Sequence, residues 1–147
     1  MAGGVRPVAD GARRRGGLPV GRGDGAAAFL VGSEDVLASI EGSHAISEEI
    51  VDVWRSGGEP FSHSWEDRFV IQEGYMPRIQ EAVDQLLAKL GHSTGDYARF
   101  ALYAPDKRSH AAASRGLGIP QDKLQDPFFG RLGNTGAAFA PMLLAAA

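Results

Sequence analysis

The chain has 147 residues, enough for one domain with its own core, and its apolar fraction of 44% is that of an ordinary globular protein. Its net charge of −3 is unevenly spread, because residues 1–22 hold five Arg against a single acid and the acidity lies in the remainder. The absence of Cys excludes disulfides, a thiolate metal site and a thiolate nucleophile within these residues.

Residues 1–21 mix Gly, Ala and Arg with few large apolar side chains. Such a segment buries too little surface to offset its chain entropy, so it is expected to be a disordered basic tail, or sequence unrelated to the rest of the chain. Clustered Arg attracts any polyanion, but here composition alone accounts for it, and no nucleic-acid or membrane partner is expected. No apolar run approaches the ~20 residues that cross a bilayer, and the start lacks the apolar core of a secretion signal. The expected location is cytoplasmic.

Gly23-Asp24-Gly25 leads into the apolar run Ala26–Val31, and after Gly32-Ser33 a second run spans Val36–Ile40. The two are expected to pair as a hairpin. Residues 42–70 scatter Trp54, Phe61, Trp65 and Phe69 among Gly, Pro and charged residues without a single period, as in a long excursion with short helices. From Pro77 the pattern clears. Ile79, Val83, Leu86, Leu87 and Leu90 recur at helical spacing and Gly91 stands where a C-terminal cap belongs, predicting a helix over 77–90.

Tyr97–Ala104, aromatic-rich and stopped by Pro105, reads as a strand. Lys107–Leu117, Ala-rich and ending at Gly118, reads as a second helix. The run after Gly133-Asn134-Thr135-Gly136 reads as a buried helix of small and apolar residues. This order is that of a layered α/β domain. The last apolar helix reaches the final residue without a capping signal, so truncation is expected.

Three side chains are candidates for chemistry. Asn134 stands alone among small residues, where its NH2 can donate to an oxyanion or its oxygen can simply cap the last helix. Tyr103, at the end of the predicted strand, either faces a site as a hydrogen-bond donor or fills the core. His110 is either a general base or an exposed helix residue among Lys107, Arg108 and Arg115. Lys107 and Arg108, with Arg115, are candidates for contacting a phosphate-bearing ligand, or are solvated charge. The four His (His44, His63, His92, His110) share no metal-ligand spacing, and no metal is expected.

Gly23-Asp24-Gly25-Ala26-Ala27, then Val53-Trp54-Arg55 through Phe61-Ser62-His63 to Arg68-Phe69, then Tyr103-Ala104-Pro105-Asp106 and Gly133-Asn134-Thr135-Gly136 resemble, in order and spacing, the later part of the 3-hydroxy-3-methylglutaryl-CoA synthase-like and ketoacyl synthase III-like enzymes. The resemblance covers residues 22–147. It implies the second-half α/β layers of a thiolase-like fold, here incomplete at both ends. It also implies acyl-CoA as substrate with no covalently bound cofactor, a homodimeric full-length parent, and a small zinc-ribbon and OB-fold protein as a partner in divergent members. The nucleophilic Cys and a Glu base of such enzymes precede the Gly-Asp-Gly-Ala segment and are absent here. Asn134 matches the Asn that serves them as oxyanion-hole or triad member, whereas Tyr103 stands where they carry a catalytic His. The expected function is therefore that of an inactive part of an acyl-CoA acyltransferase. Its alternatives are a non-catalytic thiolase-fold subunit and a thiolase-like aldolase with Tyr103 as acid or His110 as substitute base.

Overall fold

The computed structural model describes residues 23–54, 56–58 and 63–147. The expected disorder of residues 1–21, and Arg55, Phe61 and Ser62 of the resemblance, lie outside them. The chain divides into two compact units, one of residues 23–39 with Tyr97–Ala147 and one of Ile40–Asp96.

In the Ile40–Asp96 unit, β1 (Val53–Trp54) and β2 (His63–Ser64) form a two-stranded antiparallel hairpin with Trp54 opposite His63. Their rings stack at 5.7 Å. A continuous helical stretch follows, made of α1 (Asp67–Phe69), a π-helical segment (Val70–Tyr75) and α2 (Met76–Leu90). The wide turns have a local cause. Pro77 has no N–H to give to the carbonyl of residue 73, and its ring crowds that carbonyl. The backbone widens just before it, and the Met76 N–H reaches back to Ile71, five residues away. Gly74, the buried residue of that segment, lets Ile50 approach closely, for a Cβ there would lie 3.2 Å from the Ile50 Cδ1.

α2 matches the helix predicted over 77–90. Gly91 adopts φ 69°, the Gly91 N–H donates to Ala88 and the His92 N–H to Leu87, which together end the helix in a Schellman cap. Arg78 pairs with both Glu81 and Glu48, and Lys89 Nζ donates to the Ser43 carbonyl at 3.0 Å. These tie residues 43–48 to the helix.

The other unit holds every buried large apolar side chain among the described residues: Leu102, Leu117, Ile119, Phe139 and Leu143, together with Ala104 and Ala113. α3 (Lys107–Gly116) agrees with the second predicted helix. The Asp106 carboxylate caps it, accepting from the Ser109 N–H at 2.9 Å and the Ser109 hydroxyl at 2.7 Å. Gly118 at φ 65° closes its far end as Gly91 closes α2. α4 (Phe139–Ala145) is the expected last helix and buries Phe139 and Leu143.

The strand expectations need correction. Neither Ala26–Val31 nor Val36–Ile40 forms a strand, and no hairpin joins them. Leu30 and Leu37 are fully exposed, so these segments have the composition of strands but no pairing partner among the described residues. A strand exists only where another strand satisfies its backbone groups. Tyr97–Ala104 is likewise reduced to one parallel bridge between Phe100 and Leu124, with the Phe100 N–H donating to Lys123 and the Gln125 N–H to Phe100. Layered α/β architecture is therefore only partly expressed in the described residues.

Candidate functional site

Two glycine-rich segments far apart in sequence meet in one place. The Gly23 N–H donates to the Asn134 carbonyl at 3.1 Å. Gly25 lies so close to Thr135 and Met142 that a Cβ would fall 2.6 and 2.7 Å from their side chains. Only a residue without a Cβ permits that approach.

The Asn134 side chain is oriented by two bonds. Its Oδ1 accepts from the Gly136 N–H at 2.8 Å, which turns its NH2 toward Tyr103, where Nδ2 donates to the phenolic oxygen at 3.2 Å. Asn134 thus makes an Asx turn that caps the leading N–H of the 3-10 turn Gly136–Ala138, which runs into α4. The amide oxygen thus makes the cap-type bond of the alternative reading, and the amide NH2 is joined to the one tyrosine that the resemblance singled out.

Tyr103 packs edge-on against Phe139 at 5.8 Å, Phe139 stacks on Phe129 at 6.0 Å, and Phe129 meets His110 edge-on at 5.9 Å. Tyr103 and His110 are therefore opposite ends of a chain of four rings. Sequence reasoning missed Phe129 and Phe139. Phe129 is placed by an unusual turn in which Phe128 takes φ 56°, stabilised by the Asp126 carboxylate accepting from the Phe128 N–H at 2.8 Å. Arg131 stacks over the Phe128 ring and pairs with Asp126. The Asp126-Pro127 start and Gly130 were the available signal.

His110 is not an exposed helix residue. It is 7% exposed, and its Nε2 has no hydrogen-bond partner. Burial pushes the imidazole below its ordinary pKa of 6.5, favouring the neutral ring. Lys107 and Arg108 lie exposed in the first turn of α3. Among the described residues no group of three His, Asp or Glu is placed to hold a metal ion, and no helix is long and apolar enough to cross a membrane.

Comparisons with known proteins agree with the motif pattern. No protein-family model matches the chain. Hydroxymethylglutaryl-CoA synthase of Pyrococcus horikoshii is 33% identical over 116 residues, which are 77% of this chain and 33% of that protein. The enzyme of the same name from Pyrobaculum neutrophilum is 30% identical over 119 residues, 80% of this chain and 34% of that one. The chain is a distant homologue of these synthases and spans about a third of their length. Among solved structures, 3-oxoacyl-(acyl carrier protein) synthase III of Pseudomonas aeruginosa superposes with a TM-score of 0.53 at 19% identity, over 64% of this chain and 29% of that one. The fold is thus a partial thiolase-like fold.

Proposed function

We propose that this distant homologue of the hydroxymethylglutaryl-CoA synthases is a part of a thiolase-fold protein acting on acyl-CoA thioesters, in carbon–carbon bond formation or cleavage. The observation that carries the reading is the Asn134 Nδ2 to Tyr103 hydroxyl hydrogen bond. It joins an amide and a hydroxyl, both part-buried, at one end of an aromatic wall, and both stand at positions that the resemblance marks as catalytic. Asn134 has a second N–H to offer to the thioester oxygen, and preorganised donors of this kind stabilise the charge that develops there. Tyr103 supplies a hydroxyl in place of an imidazole. It can donate a proton or a hydrogen bond but is a weak base at neutral pH. His110, neutral and buried at the far end of the ring chain, serves as packing in this reading. Lys107 and Arg108 supply charge for the CoA phosphates.

The chain by itself is inactive in this reading, because acyl transfer in such enzymes passes through a thiolate and the chain has no Cys. The rest of the fold supplies it, and a homodimer or a zinc-ribbon and OB-fold protein covers the apolar segments around Leu30 and Leu37. A second reading is favoured by one observation, the Tyr at the His position: a non-catalytic subunit that keeps acyl-CoA binding without turnover, or an aldolase in which Tyr103 is the acid.

The test uses a peculiarity of composition. Asn134 is the only Asn in the chain, so selective 15N-Asn labelling gives one side-chain NH2 signal. Titration with acetyl-CoA is expected to move that signal saturably, whereas ADP leaves it in place. A side-chain signal indifferent to acetyl-CoA while the chain is folded removes Asn134 from the acyl site.

A further inference from the structure

The Ile40–Asp96 unit carries an open cleft of about 540 Å³ lined by Glu49, Ile50, Val51, Trp54, Trp65 and Phe69. Its walls come from residues 49–51 before β1, from Trp54 of β1, from Trp65 just after β2 and from Phe69 at the start of the long helix. The aromatic rings stand in a row, Trp54 to Trp65 at 6.1 Å and Trp65 to Phe69 at 6.3 Å, at angles of 51° and 62° to one another. Trp65, Phe69 and Val51 are each about half exposed or more. Large apolar side chains clustered on a surface in this way mark a contact site.

The charge around the cleft restricts what enters it. The segments that form it, residues 48–54 and 65–69, hold five carboxylates (Glu48, Glu49, Asp52, Glu66, Asp67) against Arg68, and of the five Glu48 is paired with Arg78. The whole unit, residues 40–96, has eleven acids and four bases, a net −7. Phosphate-bearing ligands such as CoA are repelled, as is an anionic membrane surface. A second copy presenting the same face opposes acid to acid. Cations over aromatic faces are attracted by the ring quadrupole, and more so where carboxylates stand beside the rings.

We infer that this cleft is a docking site for a partner protein, taking a segment in which Arg or Lys alternates with aliphatic side chains. The aliphatic groups cover Ile50, Val51 and Phe69, and the cations lie over Trp54 and Trp65 within reach of Glu49. The inference is independent of the acyl-CoA reading, because it concerns different residues and a ligand of opposite charge.

Both tryptophans of the chain line the cleft, so tryptophan emission of the intact protein reports its occupancy alone. A synthetic peptide of alternating Arg and Leu is expected to shift that emission to the blue, saturably and less at high salt. Peptides of Glu and Leu, or of Arg and Ser, are expected to leave it unchanged, since one lacks the charge and the other the apolar surface. Glu49→Gln, an exposed change that leaves the fold intact by circular dichroism, is expected to weaken binding about two- to fivefold. Trp54→Ala, read through Trp65, is expected to weaken it about tenfold. The inference is overturned by an absent shift with the Arg-Leu peptide, by an equal shift with either control peptide or acetyl-CoA, or by full affinity in Glu49→Gln. A blue shift on raising protein concentration without peptide assigns the cleft to a second copy and overturns it as well.

Discussion

At the residue scale, Asn134 and His110 show how burial divides two polar groups of similar promise. Asn134 has both ends of its amide engaged, to Gly136 and Tyr103, and so holds one orientation. Tyr103→Phe keeps the ring against Phe139 but leaves that NH2 without its phenolic acceptor, and is expected to cost about 1 kcal/mol in denaturant unfolding. It also moves the 15N-Asn side-chain signal without ligand. His110 is held neutral by burial, with its folded-state pKa below the unfolded value of 6.5. The stability tied to the neutral ring is then fully present above about 6.5 and is lost as pH falls from there through the folded value. Thermal melts of the wild type are expected to fall between pH 7.5 and 5.5 more steeply than those of His110→Gln. Parallel pH profiles would show that the ring is as solvated in the folded chain as in the unfolded one. The burial was legible: 110, 113, 114 and 117 fall on one helical face, and all four are buried. The neighbouring Lys107, Arg108 and Arg115 drew attention to the opposite face instead.

At the element scale, helices were legible and strands were not, for a physical reason. α2 and α3 are specified by signals close in sequence: Pro77 and Gly91 for one, Asp106 and Gly118 for the other. The π-helical segment was not foreseen, although Pro77 sets its place, because the same Pro reads equally as a first helical residue. Strand segments such as Ala26–Val31 carry only half of their specification, since the partner's register lies elsewhere in sequence. The caps give a direct check: Asp106→Ala is expected to lose about 0.5–2 kcal/mol in urea unfolding, and Asp106→Asn to recover most of it. Gly25 tests the meeting of the two glycine-rich segments. A methyl group there strikes Thr135 and Met142, so Gly25→Ala is expected to cost about 1–3 kcal/mol and to shift the Asn134 signal. A neutral Gly25→Ala would show that the two segments do not pack as closely as described.

At the scale of the whole molecule, the chain matches a third of its relatives and leaves Phe29, Leu30, Val31, Leu37 and Ile40 exposed. Apolar surface of that extent promotes association. Sedimentation is expected to show concentration-dependent self-association that Leu30→Lys with Leu37→Lys reduces; a monodisperse monomer across the same range contradicts it. The distant homology was legible because the four motifs keep their order, and two of them, Gly-Asp-Gly and Gly-Asn-Thr-Gly, are in contact in the fold. The four-ring wall was not legible, because its members come from four separate segments and Phe129 depends on the left-handed turn at Phe128.

The central claim is that the Asn134 and Tyr103 pair is the polar end of an acyl-CoA site. It is tested most directly by steady-state turnover of acyl-CoA in a version of the protein extended to the full length of its relatives. Asn134→Ala is predicted to lower kcat by about 10²–10³, the usual consequence of losing one oxyanion donor, with the protein still folded at the assay temperature. Turnover that is unchanged in Asn134→Ala, at equal stability, would contradict the assignment of this face as the catalytic one.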